Sequence, residues 1–174
     1  MGQYYKPVVI QGNEVMIFDR SILPEKEYVM AKLMEHSWWS NPTVNAIAKM
    51  IYNRAGHVFW CGDYADDSIA QMAWNDENER GLENPEDFTL DNKYLINWDK
   101  KVYLDCNKYK ELCKDEDDWI IHPLPLLTAL GNGLGGGDYI GINQDTVGNW
   151  AGNQLEIVDK KPLLEEFEII FKER

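Results

Sequence analysis

Asn41-Pro42-Thr43-Val44-Asn45-Ala46-Ile47-Ala48-Lys49-Met50-Ile51-Tyr52-Asn53-Arg54-Ala55-Gly56-His57-Val58-Phe59-Trp60-Cys61-Gly62-Asp63 is the stretch on which the fold turns. Val44, Ile47, Ala48 and Ile51 recur at i, i+3, i+4 and i+7, which predicts a helix over residues 42–54 with one buried stripe. Asn41 is a good N-cap, and Pro42 stands at the first helical position, where its missing N–H costs nothing. Lys49 and Arg54 lie toward the negative helix end, and Gly56 reads as the C′ terminator. His57-Val58-Phe59-Trp60-Cys61 follows as a buried strand, closed by Gly62-Asp63. One amphipathic helix running directly into one apolar strand predicts an α+β fold: a mostly antiparallel β-sheet with one main helix, residues 42–54, packed on a face.

The flanking segments add strands. Tyr4 to Ile10, the turn Gln11-Gly12-Asn13, and Val15-Met16-Ile17-Phe18 read as a hairpin, with Pro7 placing the first strand at an edge. Glu25 to Ser37 fits a strand or a short helix equally well. Tyr94 to Asn97 and Val102 to Cys106 form a second hairpin around Trp98-Asp99-Lys100-Lys101, and Asn107 is placed to cap a short helix through Cys113. Leu155 to Val158 and Phe167 to Phe171 are strand-like. Residues 64–92, with Gly81 and Pro85 as breakers, read as an acidic, loop-rich surface excursion within a single domain spanning 1–174. At 174 residues, 44% hydrophobic and 12% aromatic, the chain can bury a core of its own.

The net charge is −13, and it is unevenly spread. Residues 1–58 are near neutral, whereas residues 59–118 hold 17 of the 30 acids against 7 bases. Such a surface repels phosphate backbones, so direct double-stranded DNA binding is disfavoured. It suits either a basic protein or ribonucleoprotein groove, or simply a solvated, solubilising face. No apolar run approaches the length of a membrane-spanning helix. Met1 to Lys6 has no apolar core of a signal peptide, and Lys6 breaks the myristoylation pattern. Cys61, Cys106 and Cys113 are odd in number with no Cys-x-x-Cys, against a disulfide framework or an all-cysteine zinc site. A soluble, cytoplasmic, membrane-free protein is expected.

Two loops could carry chemistry. Gly62-Asp63-Tyr64-Ala65-Asp66-Asp67 places carboxylates just past a buried strand. The glycine-rich stretch 131–141 carries Asp138 and Tyr139 directly after Gly135-Gly136-Gly137 and needs φ > 0 or close backbone approach. Asp63, Asp66 and Asp138 together would suit Mg²⁺ or Mn²⁺, which prefer oxygen ligands. Such an ion would neutralise a phosphate and activate water. A shared ion requires Asp63 and Asp138 within about 6 Å of one another. His122, leading into the glycine-rich loop, and His36, beside Trp38 and Trp39, are candidate general bases, with pKa near working pH. Tyr64, Gly135, Gly136, Gly137, Tyr139 and Trp150 are candidate substrate contacts. The structural alternative is that the aspartates cap turns, the histidines are satisfied hydrogen-bonders and the glycines build a tight loop. No P-loop, Gly-x-Ser-x-Gly or His-Glu-x-x-His occurs.

Gly2-Gln3-Tyr4-Tyr5-Lys6, Gly62-Asp63-Tyr64-Ala65-Asp66, the run PLPLLTALGNGLGGGDY at 123–139, and Val147-Gly148-Asn149-Trp150-Ala151-Gly152 together resemble a family of small, uncharacterised bacterial and phage-encoded proteins. The resemblance covers most of the chain and implies origin more than activity. Members carry Arg where this chain has Leu134, which removes a phosphate-binding cation. Size, acidity and the aspartate pattern are also remotely similar to acidic anti-CRISPR proteins. That likeness implies a protein that counteracts host defence by binding a basic effector. The alternatives are a metal-dependent phosphodiester hydrolase built on the aspartates, and a non-catalytic structural protein.

Overall fold

The computed structural model describes residues 3–18, 32–77, 79–80, 88–114, 119–132, 139 and 146–170. The strands are β1 (Tyr5–Gln11), β2 (Glu14–Ile17), β3 (Gly56–Gly62), β4 (Tyr94–Asn97), β5 (Val102–Asp105), β6 (Ala129–Leu130), β7 (Gln154–Val158) and β8 (Glu165–Glu166). The helices are α1 (Leu33–His36), α2 (Pro42–Met50), α3 (Ser68–Asn75), α4 (Cys106–Cys113) and α5 (Pro123–Thr128). The strands form one open sheet in the order β2-β1-β3-β7-β4-β5-β8, with β6 pairing on β3. Every pairing is antiparallel except β3–β6 and β5–β8. The α+β expectation is borne out.

Strand alternation sorts side chains onto two faces. Val9, Val58 and Trp60 face α2 and α5, sharing a core with Val44, Ile47, Ala48, Ile51, Leu124 and Leu127. Val8, Ile17 and Cys61 face the other way and pack with Ala70 and Ala73 of α3. The central sheet is thus covered on both sides. The second cover lies inside the segment that the sequence marked as an excursion. Asp67 caps α3 by accepting from the Ile69 N–H at 3.0 Å. Trp74 fastens the helix to β3 by donating Nε1–H to the Cys61 carbonyl at 2.9 Å. Lys6 is buried, pairs with Glu79, and lies 4.4 Å from the centre of the Trp74 ring.

Two boundaries differ from expectation for local reasons. α2 begins as predicted, with Asn41 Oδ1 accepting from Thr43 N at 2.9 Å and Val44 N at 3.3 Å. It stops at Met50 rather than running to Arg54. Asn53 adopts φ +54°, and Asn53 N donates to the Ile157 carbonyl at 2.9 Å, so pairing with β7 outcompetes another helical turn. Gly56 is not a helix terminator but the first residue of β3, where a side chain would meet Gln11 Cγ at 2.8 Å. Gln11 uses that space to donate Nε2–H to the Met50 and Arg54 carbonyls at 2.8 and 3.1 Å, capping the helix end from a neighbouring strand.

β1 is not an edge strand, because β2 and β3 flank it. Phe18 N donates to the Pro7 carbonyl, so residue 7 turns its backbone polar groups toward β2. The β1–β2 register ends at Val8↔Ile17, and the N–H that proline lacks falls past the ladder. α4 is capped by Asp105, not Asn107; Asn107 instead bonds the Asn92 side chain and backbone at 2.9 and 2.8 Å. The Glu25–Ser37 segment is helical where it is described, over Leu33–His36. Among the described residues at the C-terminal end only Glu165–Glu166 joins the sheet, with Phe167 packing on Trp150; Phe171 of the strand expected over Phe167 to Phe171 lies outside the described residues.

Candidate functional site

β3 is shared along its length. Its first residues, Gly56 and His57, pair with β7, and Trp60 and Cys61 pair with β6. Because β3 and β6 run parallel, the chain leaves both at the same end of the sheet. Gly62 and Leu130, at the roots of the two loops, are therefore neighbours.

The roots of the two loops are tightly packed. A side chain on Gly62 would meet the Leu130 carbonyl oxygen at 2.8 Å, and one on Gly131 would meet Gln3 Oε1 at 2.9 Å. Gln3 is buried between them. Tyr5 Oη donates to its Oε1 at 3.0 Å, while its Nε2 has no hydrogen-bond partner among the described residues. Asp63 N donates to the Tyr4 carbonyl at 2.9 Å, and Asp63 Oδ1 accepts from Tyr4 N at 3.0 Å. That carboxylate latches the strand end to β1. Tyr64 is 41% exposed, and Asp66 and Asp67 are exposed.

The catalytic candidates receive structural roles where they are described. His122 is completely buried. In place of a general base it is the N-cap of α5, its Nδ1 accepting from Leu124 N at 3.2 Å. That fixes the proton on Nε2, which donates to Asn45 Oδ1 at 3.0 Å. Both nitrogens are occupied, and burial pushes its pKa down to about 3, so the ring is neutral. Asn45 passes the linkage on by donating to the Trp39 carbonyl at 3.1 Å. His36 Nδ1 accepts from Lys32 N at 2.9 Å within the turn of α1. Burial lowers its pKa, opposed in part by the charge of Glu35.

Trp150 and Tyr139 belong to the core, at 0% and 2% exposure, rather than to a binding surface. Asp138, Gly135, Gly136 and Gly137 lie outside the described residues, and with them the Asp63–Asp138 separation. Among the described residues, no group of three His, Cys, Asp or Glu side chains stands close enough to hold a metal ion. Burial pushes the Cys61 and Cys106 thiols up to about 12, so neither supplies a thiolate near neutral pH. No described helix is long and apolar enough to cross a membrane.

The electrostatic layout is set by who pairs with whom. Arg80, Lys93 and Lys108 belong to the acidic middle third, yet they pair with Glu14, Asp159, and Glu166 and Glu168 from elsewhere in the chain. Lys110–Asp91 is internal to that third. Its own carboxylates at Asp66, Asp67, Glu77, Asp99 and Glu111 stay exposed. Sequence reasoning missed the buried Lys6 and the α3 face. Asp67-Ser68 ahead of Ile69, Ala70 and Ala73 was the readable sign of a capped helix. Compared with protein-family models, curated proteins and solved structures, the chain has no match.

Proposed function

We propose that this protein is a non-catalytic binding module whose acidic middle third docks on a basic protein or ribonucleoprotein, a host-defence effector being the class the acidity suits. The observation that carries this reading is the pairing pattern. Arg80, Lys93 and Lys108 of the middle third are neutralised by carboxylates from the flanking thirds. Of the region's described acids, Asp66, Asp67, Glu77, Asp99 and Glu111 face water, while Glu79 and Asp91 are paired with Lys6 and Lys110. A surface of one sign attracts an oppositely charged partner over several ångströms and orients it before contact. The structural roles of His122, Asp63 and Asp67 further favour binding over catalysis, since each is already committed to a backbone N–H.

The test is the affinity of the full chain for a basic ribonucleoprotein effector between about 50 and 500 mM salt, across which exposed charge pairs are progressively screened. Affinity falling steeply with salt is the expected result. A flat profile removes this reading. Heat release or thermal stabilisation on adding Mn²⁺, with RNA cleavage, would restore the hydrolase.

A further inference from the structure

After β7 the chain crosses the sheet to reach a place at its edge. β7 and β8 both run parallel to β5, and β4 and β5 lie between them. Val158 stands level with Tyr94 and Asp105, whereas Glu165 stands level with Val102. The connector 159–164 therefore spans three strand spacings, about 14 Å, and climbs back along β5 from Asp105 to Val102, about 10 Å. The diagonal is about 17 Å. From Val158 to Glu165 a fully extended connector reaches about 24 Å, and it must also clear the side chains of β4 and β5. With two residues fewer it would reach about 17 Å, too little to do both.

The connector delivers a short strand to a specific seat. β8 contributes two residue pairs to β5, and Phe167 N donates to the Tyr103 carbonyl at 2.7 Å. Alternate side chains then have different partners. Phe167 packs on Trp150 with ring centres 5.1 Å apart, and Ile169 is buried. Glu166 and Glu168 pair with Lys108 of α4. Leu104, Tyr109 and Leu112 complete the seat. The connector is the reverse: Lys160, Lys161 and Leu163 are exposed, Leu163 fully. A strand with a defined seat, carried on an exposed connector, can be exchanged between copies at little cost, because each copy supplies the same strand and the same seat.

We infer that the seat formed by β5 and α4 takes the Glu165–Ile170 strand of a second copy as well as its own, so that two chains can exchange these strands reciprocally. A second copy is the occupant because its strand repeats every contact of the seat: apolar residues at 167 and 169, acids at 166 and 168 for Lys108, and backbone for Val102 and Tyr103. Connector length sets the balance. At its natural length the strand returns to its own chain, where a short linker gives it an effective concentration of about a millimolar. This inference goes beyond acidic docking and does not depend on it.

The experiment deletes Lys160 and Lys161 and compares the solution mass of the variant and the full-length parent by light scattering, at micromolar concentrations well below that effective concentration. The parent is expected to be a monomer and the deletion variant a dimer. Adding Phe167→Ala and Ile169→Ala to the deletion should return it to a monomer. A folded deletion variant that stays monomeric overturns the inference. So does a dimer that survives Phe167→Ala and Ile169→Ala, since its contacts lie elsewhere. A second measurement does not need the deletion to fold. A labelled peptide of residues 163–170 is titrated into the full chain carrying Phe167→Ala and Ile169→Ala, whose own strand holds the seat weakly. Binding is expected, and Lys108→Ala should weaken it about two- to fivefold. Absence of binding overturns the inference, and every outcome leaves acidic docking as it stands.

Discussion

His122 and Asp63 begin from similar sequence signals and both become fastenings, but one is sealed in the core and the other stands half-buried at the start of an open turn. Each is a titratable residue at the end of an apolar run, next to a chain breaker: Pro123 follows one and Gly62 precedes the other. α2 and α5 close over His122, which spends both ring nitrogens on Asn45 and Leu124. Past Asp63, the turn carrying Tyr64, Asp66 and Asp67 stays open to water. The lesson is that residue type marks a candidate, while the element packed above it decides between a structural pin and a contact surface. Buried polar groups are costly unless fully paired, so a sealed histidine holds the fold together. An exposed carboxylate contributes little to stability and remains available to a partner.

The contrast predicts a graded set of outcomes. His122→Ala removes a helix cap and leaves Asn45 unpaired in a sealed site, so stability should fall by about 2–4 kcal/mol in chemical denaturation. The same ring makes the fold acid-sensitive. Its folded pKa of about 3 lies below the unfolded 6.5, so the unfolded chain takes up the proton first. His122 thus imposes no penalty above pH 6.5, and stability is lost as pH falls from 6.5 toward 3, by up to about 1.4 kcal/mol per pH unit. His36, shifted the same way, adds to the trend. Denaturation midpoints of the parent and His122→Gln between pH 7 and 5 should converge; a parallel shift would mean that the ring titrates as it does in the unfolded chain.

Next in size is Glu79→Gln. It strips a buried lysine of its counter-charge and should cost about 1–3 kcal/mol, loosening α3 from the sheet. Hydrogen exchange of the Ala70–Asn75 amides would report the loosening directly. Asn41→Ala removes the cap of α2 and the 2.6 Å bond to the His36 carbonyl, for a loss of about 1–2 kcal/mol. Smallest are Tyr64→Ala and Asp66→Asn, which should move the unfolding free energy by less than about 0.5 kcal/mol. A larger loss there would show that the open turn is a structural pin after all, and the contrast with His122 would dissolve.

Much of the fold was legible because it is written in local periodicity. Val44, Ile47, Ala48 and Ile51 announced α2, and Gly12-Asn13 and Trp98–Lys101 announced their hairpins. α3 was obscured by its setting: acids surround a short apolar stripe of Ala70 and Ala73, and small residues give a weak hydrophobic signal. The site was legible only as a list of polar residues. Whether His122 or Asp63 could meet a ligand depended on groups far along the chain: the Asn45 side chain, 77 residues away, in one case and the Tyr4 backbone N–H, 59 residues away, in the other.

By itself the sequence determined the secondary elements with strong repeats, the α+β class and the concentration of negative charge in the middle third, because each follows from near neighbours along the chain. Only the tertiary structure decided that β3 is shared between β7 and β6, that Lys6 is spent beneath Trp74, and that Arg80, Lys93 and Lys108 of the acidic third pair outside it. Those outcomes depend on which distant side chains meet when apolar faces are buried, and burial is what turns a polar residue into either a fastening or a surface.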